Sequence, residues 1–112
     1  GYHGALALLA LPEPPTAIFA GNDWMALGAI EAIASRGLSV PRDLAVVGVD
    51  DISQAAHAHP PLTTISIPKQ EMARAATELL LRHIQGTDLP AAPTKILVSP
   101  HLIVRQSTAS IT

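Results

Sequence analysis

The sequence predicts an α/β fold in which a parallel β-sheet is flanked by helices, and three observations carry that expectation. Residues 44–49 (LAVVGV) form an unbroken apolar run. Continuity in place of alternation marks a strand covered on both faces, as in a parallel sheet. Residues 24–36 are rich in Ala and Ile, free of proline, and lie between that run and an earlier one at residues 16–20 (TAIFA). The connections are short, so strand, helix and strand make a βαβ unit, whose crossover is expected to be right-handed.

Taken in order, residues 5–9 (ALALL) read as the end of a helix that lacks a start signal, and the chain looks cut ahead of Gly1. No basic region of a signal peptide precedes that helix. Pro12, Pro14 and Pro15 end it. After the TAIFA strand, Asn22 or Asp23 is the natural N-cap of the next helix and Gly37 its stop. Only Glu31 and Arg36 carry charge between residues 24 and 36. A helix apolar nearly all round is buried on more than one side. The strand at residues 44–49 ends at Asp50 and Asp51, and residues 62–67 (LTTISI) read as a further strand. Pro68 suits the first turn of a helix, where its missing N–H costs nothing. That helix runs to Gln85, with Gly86 as its stop; Met72, Ala76, Leu79 and Leu80 line one stripe of it and Ile84 lies alongside. Residues 95–98 and 102–105 read as two short closing strands.

Composition removes several functional classes. Of the 112 residues, 48% are apolar and 14% charged, against about 25% charged in a typical soluble domain. This is no disordered tail, and part of its surface is expected to be covered. No apolar stretch approaches the roughly 18 residues of a membrane span, so no membrane partner is expected. A net charge of −2 leaves no basic field for a phosphate backbone. The lack of cysteine removes thiol catalysis, disulfides and thiolate metal sites, and fits a reducing cytoplasm. His57 and His59 form a pair without a carboxylate, a poor metal site, and read as solvated loop residues. Asp50 and Asp51 alone offer a hard cation too few ligands. With no nucleophile elbow and no phosphate-binding loop, neither catalysis nor a cofactor nor a metal is expected.

Two polar clusters stand out because both follow predicted parallel strands. Ligands of open α/β sheets bind outside the carboxyl ends of the strands. Asn22 with Asp23, and Asp50 with Asp51, occupy those ends. Their donors and acceptors suit the hydroxyls, amides or ring nitrogens of a small polar ligand. The same residues also dominate helix caps and turns, so both roles stay open on residue type alone.

The string PTAIFAGNDWMALGAIEAIASRGLSVPRDLAVVGVDDI, followed by PPLTTISIP and HLIVRQST, resembles the C-terminal half of the effector-binding core of lactose/galactose-repressor (LacI/GalR) transcription regulators. The likeness runs from Gly1 to about Thr108. It implies a type I periplasmic-binding-protein-like fold, present as a fragment: two subdomains close over a small effector, such as a sugar or purine. Residues 1–67 would be the βαβ portion of the C-terminal subdomain. Residues 68–96 would be the crossover helix and strand of the other subdomain, and residues 97–112 the closing strand and tail. The resemblance implies that Asn22 and Asp50 contact the effector, while Asp23 and Asp51 hold local backbone as cap and turn. Ile67 stands where many members carry a ligand-contacting Gln. Its side chain makes no hydrogen bond, which suits a ligand with an apolar edge or a pocket made polar by other residues.

The resemblance also implies a cytoplasmic homodimer. Leu27, Ile30, His57 and Ala58 are the interface candidates, with Glu31 at the rim. Operator DNA would be contacted only through a helix-turn-helix ahead of this segment. Periplasmic sugar-binding proteins share the fold and are the rival reading; they work as monomers. The stripe on the helix after Pro68 would face residues outside this segment, so the segment alone is expected to associate or rearrange through it.

Overall fold

A computed structural model of the chain describes residues 1–86 and 94–108. Helix α1 (Tyr2–Leu9) leads to strand β1 (Ala17–Phe19), helix α2 (Asp23–Ser35) and strand β2 (Ala45–Val49). Helix α3 (Ser53–His57), strand β3 (Thr63–Ser66), helix α4 (Lys69–Gln85) and strand β4 (His101–Ile103) follow. The sheet order is β1-β2-β3-β4; the first three strands are parallel and β4 runs antiparallel to β3. The mostly parallel α/β sheet is therefore the one predicted. The chain divides into two compact units, the first holding residues 1–66 with those from His101 onward, the second holding residues 67–100.

Within the first unit α2 is the hub. Ala26, Ile30 and Ile33, spaced four and three residues apart, share one side of the helix. They pack with Leu44 and Val46 from β2 and its approach, Ala55 of α3, and Leu62. Burying a side chain such as Ile33 completely contributes about 1.5–3 kcal/mol. A second side, Ala29 and Ala32, packs under Ala5 of α1 with Tyr2 and Leu6. This explains a helix with so little charge: two of its sides are covered, one by the sheet and one by α1.

Three local expectations need correction. Strand β2 is not covered equally on its two faces: Val46 and Gly48 are buried, while Ala45, Val47 and Val49 are only half-buried. Of the two histidines expected in a loop, His57 ends the short helix α3 while His59 lies beyond it; Leu62 N–H donates to the Ala55 carbonyl at 2.8 Å and ties that helix to the start of β3. Residues 95–98 form no strand. A strand needs a neighbour for its N–H and C=O groups, and the described residues of the second unit contain no other strand.

Gly48 is required by close approach. A Cβ there would sit 2.2 Å from Asp23 Oδ1 and within 3.2 Å of Leu62 and Ala26 side-chain atoms. The turn before β2 is closed by Asp43, whose Oδ2 accepts from Ser39 N–H at 2.7 Å. That bond, ahead of the nearby Arg42 guanidinium, holds the Asp43 carboxyl below its usual pKa. Its contribution to folding is thus present at neutral pH and is lost as the pH falls through that lowered value.

In the second unit, α4 follows Pro68 and stops at Gly86, which takes the left-handed conformation (φ 66°) and donates to the Arg82 and His83 carbonyls. No α4 residue is buried, and Met72, Leu80, Leu81 and Ile84 are exposed. Met72, Ala75, Ala76 and Leu79 face Ile96 and Val98 across a hollow of about 220 Å³.

Gly48→Ala should lower stability by about 1–3 kcal/mol, as expected for overpacking against a side chain that cannot move away. Urea unfolding of the full-length protein checks this, and an unchanged midpoint would mean that Asp23 has room to give.

Candidate functional site

The two polar clusters leave adjacent strands at the same level. Phe19 of β1 is registered with Val47 of β2, and three residues beyond each come Asn22 and Asp50. The parallel pairing thus sends the segments that carry both residues out at the carboxyl edge of the sheet.

Asn22 lies three residues beyond β1, in extended backbone, and is the N-cap of α2, its Oδ1 accepting from Met25 N–H at 2.8 Å. That bond uses the amide oxygen alone. The Nδ2 donors take no part in it, so capping and ligand contact are compatible in one side chain.

Asp23 is not the cap expected of it. It occupies the first turn of α2, is wholly buried, and reaches across the sheet. Its Oδ1 accepts from the Thr64 hydroxyl at 2.5 Å and its Oδ2 from Ile52 N–H at 2.9 Å. A buried carboxylate is tolerated only when its oxygens are hydrogen-bonded, and the N-terminal end of a helix dipole favours it further. Asp23 thereby binds α2, β3 and the loop after β2 to one another.

Asp50 and Asp51 both have positive φ, at 110° and 51°. Asp tolerates this region better than most residues, yet two in succession store strain of about 1–3 kcal/mol each. The turn is held from several sides. Asp50 N–H donates to the Ile65 carbonyl at 2.9 Å, and Asp51 N–H lies 3.4 Å from Thr64 Oγ1. The Asp51 carboxylate accepts from Arg105 Nη2 at 2.7 Å.

Arg105 was not singled out by residue type. Its Nη1 donates to the Leu62 carbonyl at 2.9 Å, and its backbone N–H to Thr63 Oγ1 at 2.8 Å. The available signal was a lone arginine in the closing run LIVRQST, where an isolated charge among apolar residues calls for a partner. Nearby, the buried Ser107 hydroxyl donates to the Val46 carbonyl at 2.6 Å and accepts from Thr63 N–H at 2.8 Å. Among the described residues no buried side-chain polar atom lacks a partner.

The remaining candidates scatter. Ile67 is half-buried and lies in the second unit, its carbonyl accepting from Lys69 N–H at 2.8 Å. Ile30, an interface candidate, is 9% exposed inside the chain's own core. Its spacing from Ala26 and Ile33 turns it toward the sheet, so it presents no apolar surface to a partner. Leu27 is half-buried against the same cluster, Glu31 and His57 are exposed, and Ala58 is half-buried. His57 ends α3 with Nδ1 2.9 Å from the Ser53 carbonyl oxygen. No group of three or more potential metal ligands occurs among the described residues. An apolar hollow of about 380 Å³ bounded by α1, β1 and the start of α2 includes Phe19, Gly21 and Met25 but neither Asn22 nor Asp50.

Asp23→Ala leaves the Ile52 N–H and the Thr64 hydroxyl without their acceptor, which should cost about 2–4 kcal/mol. Thr64→Val should cost less, because the carboxylate keeps Ile52. A double-mutant cycle by chemical denaturation reads the coupling between them, and strict additivity would mean the two do not interact.

Residues 2–108 match the family model described as a periplasmic binding protein-like domain. The chain is 43% identical over 112 residues to the HTH-type transcriptional repressor PurR of Haemophilus influenzae (strain PittEE), covering 99% of this chain and 33% of that protein. It is 43% identical over 104 residues to the HTH-type transcriptional repressor CytR of Escherichia coli (strain K12), covering 93% and 30%. Among solved structures, the lac repressor dimer bound to operator and the anti-inducer ONPF superposes with a TM-score of 0.85 at 34% identity, covering 97% of this chain and 37% of that one. The chain spans about a third of the length of the curated relatives it matches.

Proposed function

The chain belongs to the periplasmic binding protein-like domain family, and from that membership we propose that it is the effector-binding and dimerisation region of a DNA-binding transcriptional repressor. The repressor responds to a small polar molecule: a sugar, a nucleoside, a purine or a similar compound. The observation that supports this reading is that Asn22 and Asp50 each come three residues after the registered pair Phe19 and Val47, beyond the carboxyl ends of neighbouring parallel strands. Asn22 keeps two amide donors outside its capping bond, and Asp50 brings a carboxylate on a strained turn. Together they offer donors and acceptors to one polar face of a ligand.

In this reading residues 97–112 are the closing strand and tail, residues 1–67 are the βαβ portion of one subdomain, and residues 68–96 belong to the other. The effector shifts their closure equilibrium to the extent that it binds one state more tightly than the other. Operator contacts come from a helix-turn-helix outside this segment, since the net charge here is −2. The protein is a cytoplasmic homodimer without catalytic activity. Leu27 is its remaining apolar interface candidate on α2, with Glu31 at the rim and His57 and Ala58 beside it.

Two substitutions in the full-length protein test the reading. Asp50→Ala should weaken binding of the effector by about 10- to 100-fold, the worth of a hydrogen bond to a charged group, while operator affinity stays unchanged. Titration calorimetry with guanosine, hypoxanthine and galactose provides the measurement, and undiminished affinity for whichever of these binds would remove Asp50 from the site. Leu27→Asp should shift the protein from dimer to monomer in sedimentation while its melting transition stays cooperative. A folded variant that remains dimeric takes Leu27 out of the interface, and a monomeric wild type favours a solute-binding protein instead.

A further inference from the structure

The turn that carries Asp50 is strained at two successive residues, with φ 110° and 51°. Such backbone persists only where its surroundings over-determine it. Main-chain N–H groups fix its flanks: Asp50 N–H donates to the Ile65 carbonyl, and Ile52 N–H to the Asp23 side-chain Oδ2. The Asp51 side chain is held by Arg105 Nη2 at 2.7 Å.

Arg105 is itself fixed. The other arm of its guanidinium donates to the Leu62 carbonyl at 2.9 Å, and its backbone N–H donates to Thr63 Oγ1 at 2.8 Å. The arginine and aspartate side chains of this pair are 19% and 23% exposed, so salt screens them less than a surface pair. A planar fork with one arm on a main-chain carbonyl and the other on a carboxylate sets orientation as well as charge, which the point charge of a lysine cannot do.

We infer that Arg105 is a positioning residue for the effector site: through Asp51 it holds the strained turn that presents Asp50. Residues 101–108 thereby set the geometry of a turn more than fifty positions earlier in the chain. This rests on the reading of Asp50 as an effector contact, but the hold on the turn is open to measurement without any ligand.

The test uses the full-length protein with Arg105→Met, Arg105→Lys and Asp51→Asn. Hydrogen exchange followed by mass spectrometry should show amides 50–52 exchanging about tenfold faster in Arg105→Met. Arg105→Lys should show a partial effect, and the amides of α2 should be unchanged. Asp51→Asn keeps an acceptor oxygen and removes the charge, and it carries the same comparison if Arg105→Met does not fold. Faster exchange spread evenly over the sheet and helices, or none at residues 50–52, overturns the inference. In a second arm, each protein is titrated with guanosine, hypoxanthine and galactose. Whichever binds the wild type should bind Arg105→Lys about tenfold more weakly, within the range carried by contiguous side-chain networks. Equal affinity would falsify the positioning role. If none of the three binds the wild type, the proposed effector class fails on its own and the exchange arm decides the pair.

Discussion

A carboxylate without solvent contact has to find its hydrogen-bond donors inside the protein, and Asp23 imposes that requirement on everything around it. Its two oxygens take a hydroxyl from β3 and a main-chain N–H from the loop after β2. Those donors lie 41 and 29 residues away in sequence. Helix, strand and loop must therefore converge on one buried point. Gly48 carries no side chain because the carboxylate occupies that space. The cap of α2 falls to Asn22 because Asp23 is committed elsewhere. The carboxyl edge of the sheet is thus organised from beneath by a wholly buried residue.

This division of labour explains how adjacent residues of similar chemistry acquire different roles. Asn22 and Asp23 are neighbours, yet one stands at the rim with amide donors outside its capping bond and the other is sealed in the core. Asp50 and Asp51 repeat the pattern: the first is placed by a main-chain bond to β3, the second is drawn into an ion pair with Arg105. In each pair one side chain is tied to residues remote in sequence, Asp23 to Thr64 and Asp51 to Arg105, which stiffens the turn it belongs to.

Much of the architecture was legible in the residues. The unbroken run before Asp50, the helix nearly free of charge and the glycine stop at Gly86 are local signals, and local chemistry decides them. The positions of Asn22 and Asp50 were legible too, since they depend only on where two strands end. What was hidden depends on distant partners. Nothing near Asp23 announces Thr64, and nothing near Asp51 announces Arg105. Residues 95–98 have the composition of a strand, but composition supplies no neighbouring edge. Ile30 looked available for an interface because a helix apolar on two sides does not declare which side meets the sheet and which meets another helix.

The return of the chain into the first unit also bears on how the protein is made. The hydroxyl of Ser107 satisfies the main-chain N–H of Thr63 from 44 residues downstream, and the Ser107 main chain pairs with Val46. A ribosome adds roughly 5–20 residues each second, so β2 and β3 emerge seconds before the segment that completes their hydrogen bonding. During that interval the polar groups of Thr63 and Val46 must be satisfied by water, and the sheet edge that β4 will cover stays open to association with other nascent chains. Contacts of such long sequence separation form late. Translation speed and chaperone access after β3 therefore become determinants of yield, separate from the stability of the finished fold.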